Sequence, residues 1–260
     1  MDVLYNQPMR RTILLATTIV ALAGRSASTD TSSRDAIALI GHWNFDKGNA
    51  RDSSGNGLHG TASAAVAFKE GCAIFDGNGR IDIPIAATEI RRGYRTIDIE
   101  IRAQLDRPET YYNSLFSHPL FSVSVNALGS AKGRPCFAFS GPVSDLAPEK
   151  GGDPRWGKAA RLDAATTGDF YYWGWIGRGS VIIPAATWFT VRIVYDGRSV
   201  LQFLDGKLVA THAVRNRGAR IARDPIGAEE KAVIGRYYAD IGSPTDLSGK
   251  LDYIRIRGTR

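Results

Sequence analysis

Two carboxylates lie two residues apart in the segment TIDIEIRAQL, residues 96–105. The alternation of apolar and polar residues predicts a β-strand that carries Asp98, Glu100 and Arg102 on one face and isoleucines on the other. Carboxylates two apart on a strand lie about 6.5 to 7 Å apart at Cα, a spacing that suits the acid/base pair of a polysaccharide-degrading enzyme. The alternative is a solvated strand face on which Arg102 offsets the acids, which is the more common role of charged residues. On a concave sheet the same polar row, Arg102 included, would suit sugar hydroxyls.

A second candidate is the segment FYYWGWIG, residues 170–177, which has five aromatic residues in six consecutive positions. Strand alternation divides it into a core-like set and an amphipathic set, and the amphipathic set is Tyr171, Trp173 and Trp175. A sandwich strand buries one face, so the amphipathic set is predicted to form a sugar-stacking platform or a second packing surface beneath a neighbouring loop.

The segment before this cluster, residues 146–169, is rich in proline, glycine and charge, and it contains Trp156. Long loops at the rim of a β scaffold commonly build ligand sites. Trp156 lies close to Arg155 and Lys158, so it is predicted either to stack on a sugar or a partner, or to anchor its loop in an apolar pocket.

Other chemistries find little support in the residue pattern. The sequence contains no nucleophile elbow, phosphate loop or dinucleotide fingerprint. It also lacks the Glu-x-Asp-x-x-Glu type of strand motif that retaining glycosidases use. The histidines show no zinc-ligand spacing and have no cysteine companions: His42, His59, His118 and His212.

Composition and charge are those of a globular chain. The 260 residues are 43% hydrophobic and 23% charged, a length and composition that suit one large all-β domain. The formal net charge of +7 is spread along the chain. This distribution favours solubility and a mild preference for acidic partners, and it argues against nucleic-acid binding.

Short alternating runs from Ile40 onward predict the elements that must position these residues. Examples are RIDIPI (80–85), FSVSVNA (121–127), FTVRIVYD (189–196) and LDYIRIR (251–257). Asp205-Gly206 supplies the pair of positive-φ residues that a type I′ hairpin turn needs. Many short strands at close spacing predict an antiparallel two-sheet β-sandwich, or jelly roll.

The first residues are predicted to lie outside this fold. Arg10 and Arg11 precede the apolar run TILLATTIVALA, and small-x-small cleavage sites follow it. We therefore expect a secretory signal and leader over residues 1–28, a flexible leader over 29–38 and one domain over 39–260. Export would place the mature chain outside the cytoplasm, in the periplasm, at the cell surface or in the medium. There, Cys72 and Cys136 would form a disulfide or remain buried free thiols.

Four segments carry a family resemblance: HWNFDKGNARDSSGNGLHGT (42–61), GCAIFDGNGRIDIP (71–84), WFTVRIVYDGRSVLQFLDGKLVATH (188–212) and IGRYYADIGSPTDLSGKLDYIRIRGT (234–259). They resemble the laminin G-like, concanavalin A-like lectin/glucanase superfamily and occur in its order. The resemblance implies a jelly roll with paired first and last strands, most often used in secreted proteins to bind glycans or other proteins.

The resemblance also implies a structural calcium ion near the paired first and last strands, with Asp46, Asp52 and Asp252 at the matching positions. Strand alternation places Asp252 on the apolar face of Ile254 and Ile256, where a buried carboxylate needs a cation or hydrogen bonds. The alternative is that backbone amides satisfy these acids and that DSSGNG (52–57) is a structural turn.

These observations favour a secreted, non-catalytic carbohydrate-binding or adhesion module with a glycan or polysaccharide as partner. The alternatives are a glycoside hydrolase or polysaccharide lyase that uses Asp98 and Glu100, and a structural or protein-interaction domain. Calcium is the expected cofactor. Nucleic-acid binding and membrane insertion of the mature chain are not expected.

Overall fold

The computed structural model describes residues 37–86, 88–89, 93–108, 112–126, 134–141, 170–174, 182–213, 231–236 and 247–260. Nearly all of them lie in strands and turns of two antiparallel sheets, which confirms the predicted all-β, two-sheet class. Within these ranges, no helix has the length and hydrophobicity needed to span a membrane. The predicted signal lies outside the described residues, as does the leader apart from Ile37 and Ala38.

The described strands follow one another along the chain as β1 (Ala38–Trp43), β2 (Thr61–Ala62), β3 (Val66–Lys69), β4 (Cys72–Asp76), β5 (Ile81–Pro84), β6 (Thr96–Leu105), β7 (Tyr112–His118), β8 (Phe121–Asn126), β9 (Arg134–Gly141), β10 (Phe170–Gly174), β11 (Trp188–Tyr195), β12 (Ser199–Leu204), β13 (Lys207–Ala213), β14 (Lys231–Ile234) and β15 (Ser248–Thr259). Sheet 1 has the order β13-β12-β11-β6-β15-β4-β3, and β1 also pairs with β15. Sheet 2 has the order β10-β9-β8-β7-β14-β5-β2. The pairing of β1 with β15 joins the first and last described strands, as the resemblance implied.

The core lies between the two sheets and follows the predicted alternation. In β6 the isoleucines Ile97, Ile99 and Ile101 are buried, while the intervening polar residues are half-buried on the opposite face. Trp43 of sheet 1 lies 6.1 Å from Phe116 of sheet 2, measured between ring centroids. Aromatic and β-branched side chains from both sheets therefore fill one interior.

The hairpin between β12 and β13 has the predicted turn. Asp205 and Gly206 have φ angles of 48° and 76°, as a two-residue type I′ turn requires. The Asp205 carboxylate also accepts a hydrogen bond from the backbone N–H of Thr190 at 2.8 Å. This bond fixes the turn against β11.

One titratable side chain, His118 at the end of β7, is enclosed in the core. Its Nδ1 accepts a hydrogen bond from the backbone N–H of Leu120 at 3.0 Å, and its ring stacks on Phe121 at 4.6 Å. Burial lowers the pKa of His118 to about 3. The imidazole is therefore neutral in the folded protein near pH 7.

Candidate functional site on the outer face of sheet 1

The face of sheet 1 that points away from the core carries one row of residues across six strands. We call this row the central row. Strand register places its members opposite one another in the order His42, Arg255, Glu100, Arg192, Phe203 and Leu208. Neighbouring strands lie about 4.8 Å apart, so the row is about 24 Å long. An extended ligand lying across the strands would meet every member.

The two β6 acids of the sequence analysis lie on this face, and arginines of the neighbouring strands bind both of them. Arg192 donates from Nε and Nη2 to the two oxygens of Asp98, each at 2.8 Å. Glu100 Oε1 accepts from Arg255 Nη2 at 2.5 Å and from the Tyr253 hydroxyl at 2.9 Å. Each of the two acids is therefore held by a separate cation.

These ion pairs engage both members of the predicted acid/base pair. Both oxygens of Asp98 are occupied by one guanidinium. Glu100 is held by a cation and a phenol in the same way. The hydrolase alternative that uses Asp98 and Glu100 stays a prediction.

The prediction that Arg102 offsets these two acids is wrong. Arg102 instead pairs with Asp252, with 3.0 Å between Nε and Oδ2. Asp98 and Glu100 pair with cations from β11 and β15 because these strands flank β6 on either side.

The predicted orientation of Asp252 is also wrong. Asp252 is the extra residue of a β-bulge, because Leu251 and Tyr253 pair with consecutive residues of β6. The bulge shifts the alternation by one position, so Asp252 does not share the apolar face of Ile254. Its side chain is 39% exposed and bonds to Arg102 on the outer face.

Arginines also cover the aromatic rings of this face. Each lies within about 6 Å of a ring centroid, the range of a cation–π contact. The three pairs are Arg102 over Trp188 at 5.4 Å, Arg192 over Phe203 at 5.7 Å and Arg255 over Tyr253 at 6.0 Å. Guanidinium groups therefore lie over three aromatic rings of this face.

The turn after β1 holds the third candidate acid, Asp52, in a closed hydrogen-bond network. Asp52 accepts from the backbone N–H groups of His42, Ser54 and Leu58 at 3.0, 2.9 and 3.1 Å, and from the Ser54 hydroxyl at 2.7 Å. Burial alone would raise the pKa of Asp52, but these hydrogen bonds outweigh it and hold the pKa below its ordinary value. The carboxylate is satisfied without a metal ion.

The same turn covers the open edge of β1. The backbone N–H and the hydroxyl of Ser53 both donate to the carbonyl of His42, at 2.7 and 2.9 Å. Asn56 Nδ2 donates to the carbonyls of Leu39 and Ile40, each at 2.8 Å. The DSSGNG segment thus supplies β1 with the hydrogen bonds that a neighbouring strand would give.

The three acids predicted to bind calcium do not fit a calcium cage. Asp52 is occupied by the turn, Asp252 pairs with Arg102, and Asp46 accepts from Asn44 at 2.7 Å. In the part of the chain that the structure describes, no group of three or more His, Cys, Asp or Glu side chains is placed to hold a metal ion. Calcium binding stays a prediction that these residues do not support.

The remaining predicted residues lie elsewhere. Trp156 and Trp175 are outside the described residues, and Tyr171 and Trp173 lie on β10 at the edge of sheet 2. Strand register places Trp173 in one row with Ala138, Ser122 and Ser117. The stacking platform stays a prediction.

The proposed disulfide is not formed, because Cys72 is a free thiol. It lies half-buried on β4 of sheet 1, whereas Cys136 is on β9 of sheet 2.

Comparison with known proteins identifies the fold. No protein-family model matches the sequence, and the comparison with curated proteins gave no significant match. Among solved structures, domain 4 of AbnA, a GH43 extracellular arabinanase from Geobacillus stearothermophilus in complex with arabinotriose, is similar over 86% of this chain and 93% of its own, with 17% identity and a TM-score of 0.57.

Two toxin structures are similar at lower identity. The binding domain of Paraclostridial Mosquitocidal Protein 1 has 10% identity and a TM-score of 0.55, over 85% of this chain and 49% of its own. A structure of botulinum neurotoxin type C, whose cell entry is described as dependent upon interaction with two ganglioside molecules, has 9% identity and a TM-score of 0.51, over 86% of this chain and 48% of its own. This chain thus spans about half of each toxin chain. At these identities the similarity establishes the fold.

Proposed function

We propose that this protein is a secreted, non-catalytic carbohydrate-binding module of the laminin G-like type, and that it binds glycan along the central row. The observation that carries the proposal is the set of arginines fixed by carboxylates and by aromatic rings on one open sheet face. Asp98, Glu100 and Asp252 each hold one guanidinium in place. Donors that are already ordered lose little side-chain entropy when they bind the oxygens of a ligand.

The non-catalytic part of the proposal rests on the two β6 acids. Asp98 and Glu100 are the closest approach to a catalytic pair in the sequence, and each is bonded to an arginine. A polysaccharide held on this face would find fixed donors and acceptors but no free acid. Binding without bond cleavage is the outcome that this arrangement supports.

The structural neighbours support a glycan as the ligand class and export as the setting. The arabinanase domain belongs to an extracellular enzyme and was solved with arabinotriose. The botulinum neurotoxin depends upon two ganglioside molecules for cell entry. Two different kinds of protein with a similar fold thus interact with saccharides.

Binding of the full-length protein to a panel of polysaccharides, with soluble sugar measured in parallel, tests the proposal. We expect retention on at least one polysaccharide and no release of sugar. Arg192→Lys, which keeps the charge but loses the two-pronged bond to Asp98, should weaken binding about tenfold. The matched control is Arg198→Lys, at an exposed arginine in the turn between β11 and β12.

Three outcomes would count against the proposal. Release of sugar that disappears in Glu100→Gln would establish an enzyme. Failure to bind any polysaccharide would favour the protein-interaction alternative. If binding is lost in Trp173→Ala but kept in Arg192→Lys, the site lies on the predicted aromatic platform of Tyr171, Trp173 and Trp175 instead.

A further inference from the structure

The three central strands of sheet 1 carry more positive than negative charge on their outer face. The charged residues that β6, β11 and β15 present there are the cations Arg102, Arg192, Lys250, Arg255 and Arg257 and the anions Asp98, Glu100 and Asp252. Three of the cations are neutralised by the three carboxylates. The face therefore has a surplus of two positive charges.

The surplus belongs to Arg257 and Lys250. Arg257 lies directly opposite Asp98 in the register of β15 and β6, yet Asp98 gives both of its oxygens to Arg192 on the other side. Lys250 lies opposite the uncharged Gln104. Among the described residues, neither cation forms a salt bridge, and both are half-buried on the sheet.

The covered rings add a second constraint on the ligand. A neutral sugar stacks its apolar face on a bare aromatic ring, but Trp188, Phe203 and Tyr253 each lie beneath a guanidinium. Guanidinium edges match the paired oxygens of carboxylate and sulfate groups. The chemistry of this face is therefore better suited to oxyanions than to uncharged rings.

We infer that the ligand of the outer face of sheet 1 is an anionic polysaccharide, with carboxylates or sulfate esters that contact Arg257 and Lys250. The inference rests on the proposed function of the same face. Both cations lie on β15, and the residues opposite them on β6, Asp98 and Gln104, are six positions apart, which is about 20 Å along the strand. A chain that contacts both cations would run along β15 and cross the central row at Arg255.

The charge density of the ligand decides between an anionic polysaccharide and a nucleic acid as the partner of this face. Double-stranded DNA carries one phosphate charge per about 1.7 Å, or about 14 charges over the length of the row. Among the described residues, the outer face of β6, β11 and β15 offers two cations that form no ion pair. The rings of Trp188, Phe203 and Tyr253 each lie beneath a guanidinium, which disfavours the stacking of bases on them.

The test measures retention of the full-length protein on four immobilised polymers: polygalacturonate, a sulfated dextran, neutral arabinan and duplex DNA. We expect binding to polygalacturonate or to sulfated dextran that falls as salt is raised, with weak retention on arabinan and DNA. The anionic polymer that binds more tightly identifies the oxyanion, and either result supports the inference.

Substitutions of the two surplus cations test whether the polymer binds at this face. Arg257→Gln removes a cation that makes no ion pair in the described part of the chain, so it should leave the melting temperature unchanged and weaken binding three- to tenfold. Lys250→Gln should act in the same direction. Arg198→Gln, the matched control in the β11–β12 turn, should bind like the wild type.

The experiment distinguishes failure of this inference from failure of the proposed function. Binding to arabinan alone would overturn the inference and leave the proposed function standing, whereas binding to no polysaccharide would overturn both. Equal retention on DNA would show general attraction to polyanions and overturn the inference. Anionic binding that Arg257→Gln and Lys250→Gln both leave unchanged would also overturn it.

Discussion

The turn around Asp52 and the outer face around β6 both bury carboxylates, but they satisfy them in opposite ways. Asp52 is 7% exposed and takes all its hydrogen bonds from neutral donors within ten residues along the chain. Asp98 and Glu100 have side chains 13% and 18% exposed and are held by arginines 94 and 155 residues away. A carboxylate whose hydrogen bonds come from nearby backbone amides stabilises the fold. A carboxylate paired with an arginine that is distant in sequence also keeps that arginine ordered at the surface.

The largest effect is expected for Asp52→Ala. Removing the carboxylate leaves the backbone N–H groups of His42 and Leu58 without their acceptor, so we expect a loss of about 3 kcal/mol in the free energy of unfolding. Urea denaturation measures this loss. Asp46→Ala is the matched control, because Asp46 is exposed and its hydrogen bond comes from the neighbouring Asn44. Equal losses in the two variants would show that the turn has no special role.

As the pH falls, the free energy of unfolding should decrease at His118 in the core at a higher pH than at Asp52 in the turn. Below pH 6.5 the unfolded chain takes up a proton at His118 that the folded chain accepts only near pH 3. Stability should therefore fall as the pH drops through this window, by about 1.4 kcal/mol per pH unit. The loss at Asp52 has the same direction but begins only below pH 3.8, because its folded pKa lies under that value.

Urea midpoints between pH 7 and pH 4.5 measure the contribution of His118. We expect a drop of about 2 to 3 kcal/mol over this range in the wild type. His118→Gln, which keeps an acceptor for Leu120, should flatten the curve. An equally steep curve in the variant would place the acid sensitivity at another group.

A smaller effect is expected on the outer face. Asp98→Asn weakens a two-pronged ion pair whose arginine is 44% exposed, and we expect a loss of about 1 kcal/mol. Asp252→Asn, in a pair with side chains 42% and 39% exposed, should cost under about 0.5 kcal/mol. Thermal melts of both variants test the order. A loss at Asp98 as large as that at Asp52 would contradict the distinction between the two regions.

No effect is expected from calcium chelation. The oxygens of Asp52 are already occupied by amide and hydroxyl donors, and Asp46 and Asp252 have other partners. The melting temperature with excess calcium should equal that with a chelator. A chelator-sensitive melt would restore calcium binding and would require ligands other than these three acids.

Local pattern in the sequence was enough to predict several of the strands and the turn between β12 and β13. The alternation in β6 and the positive φ angles of Asp205 and Gly206 follow from residue types within a few positions of each other. The alternation rule fails at a β-bulge. The extra residue at Asp252 reverses the expected orientation of every β15 residue that precedes it. The pattern of apolar and polar residues does not reveal where a bulge residue is inserted.

The partners of the β6 acids were not predictable in the same way. Arg192 and Arg255 belong to predicted strands, but which strand lies beside which depends on the packing of the whole sheet. The Asp52 turn shows a different limit. A segment rich in Asp, Ser and Asn has the composition of a cation site and of an edge cap, and only the positions of its hydrogen-bond donors separate the two.

The position of β15 has a consequence for the order in which the protein folds. β15 follows every other described strand in the chain, yet it lies inside sheet 1, where it pairs with β6, β4 and β1. Its contact with β1 joins Ala38 to Gly258, a loop closure over most of the sequence. Such distant pairings slow folding. Sheet 1 therefore cannot close while the chain is still emerging from the ribosome, and its assembly must wait until β15 has been synthesised.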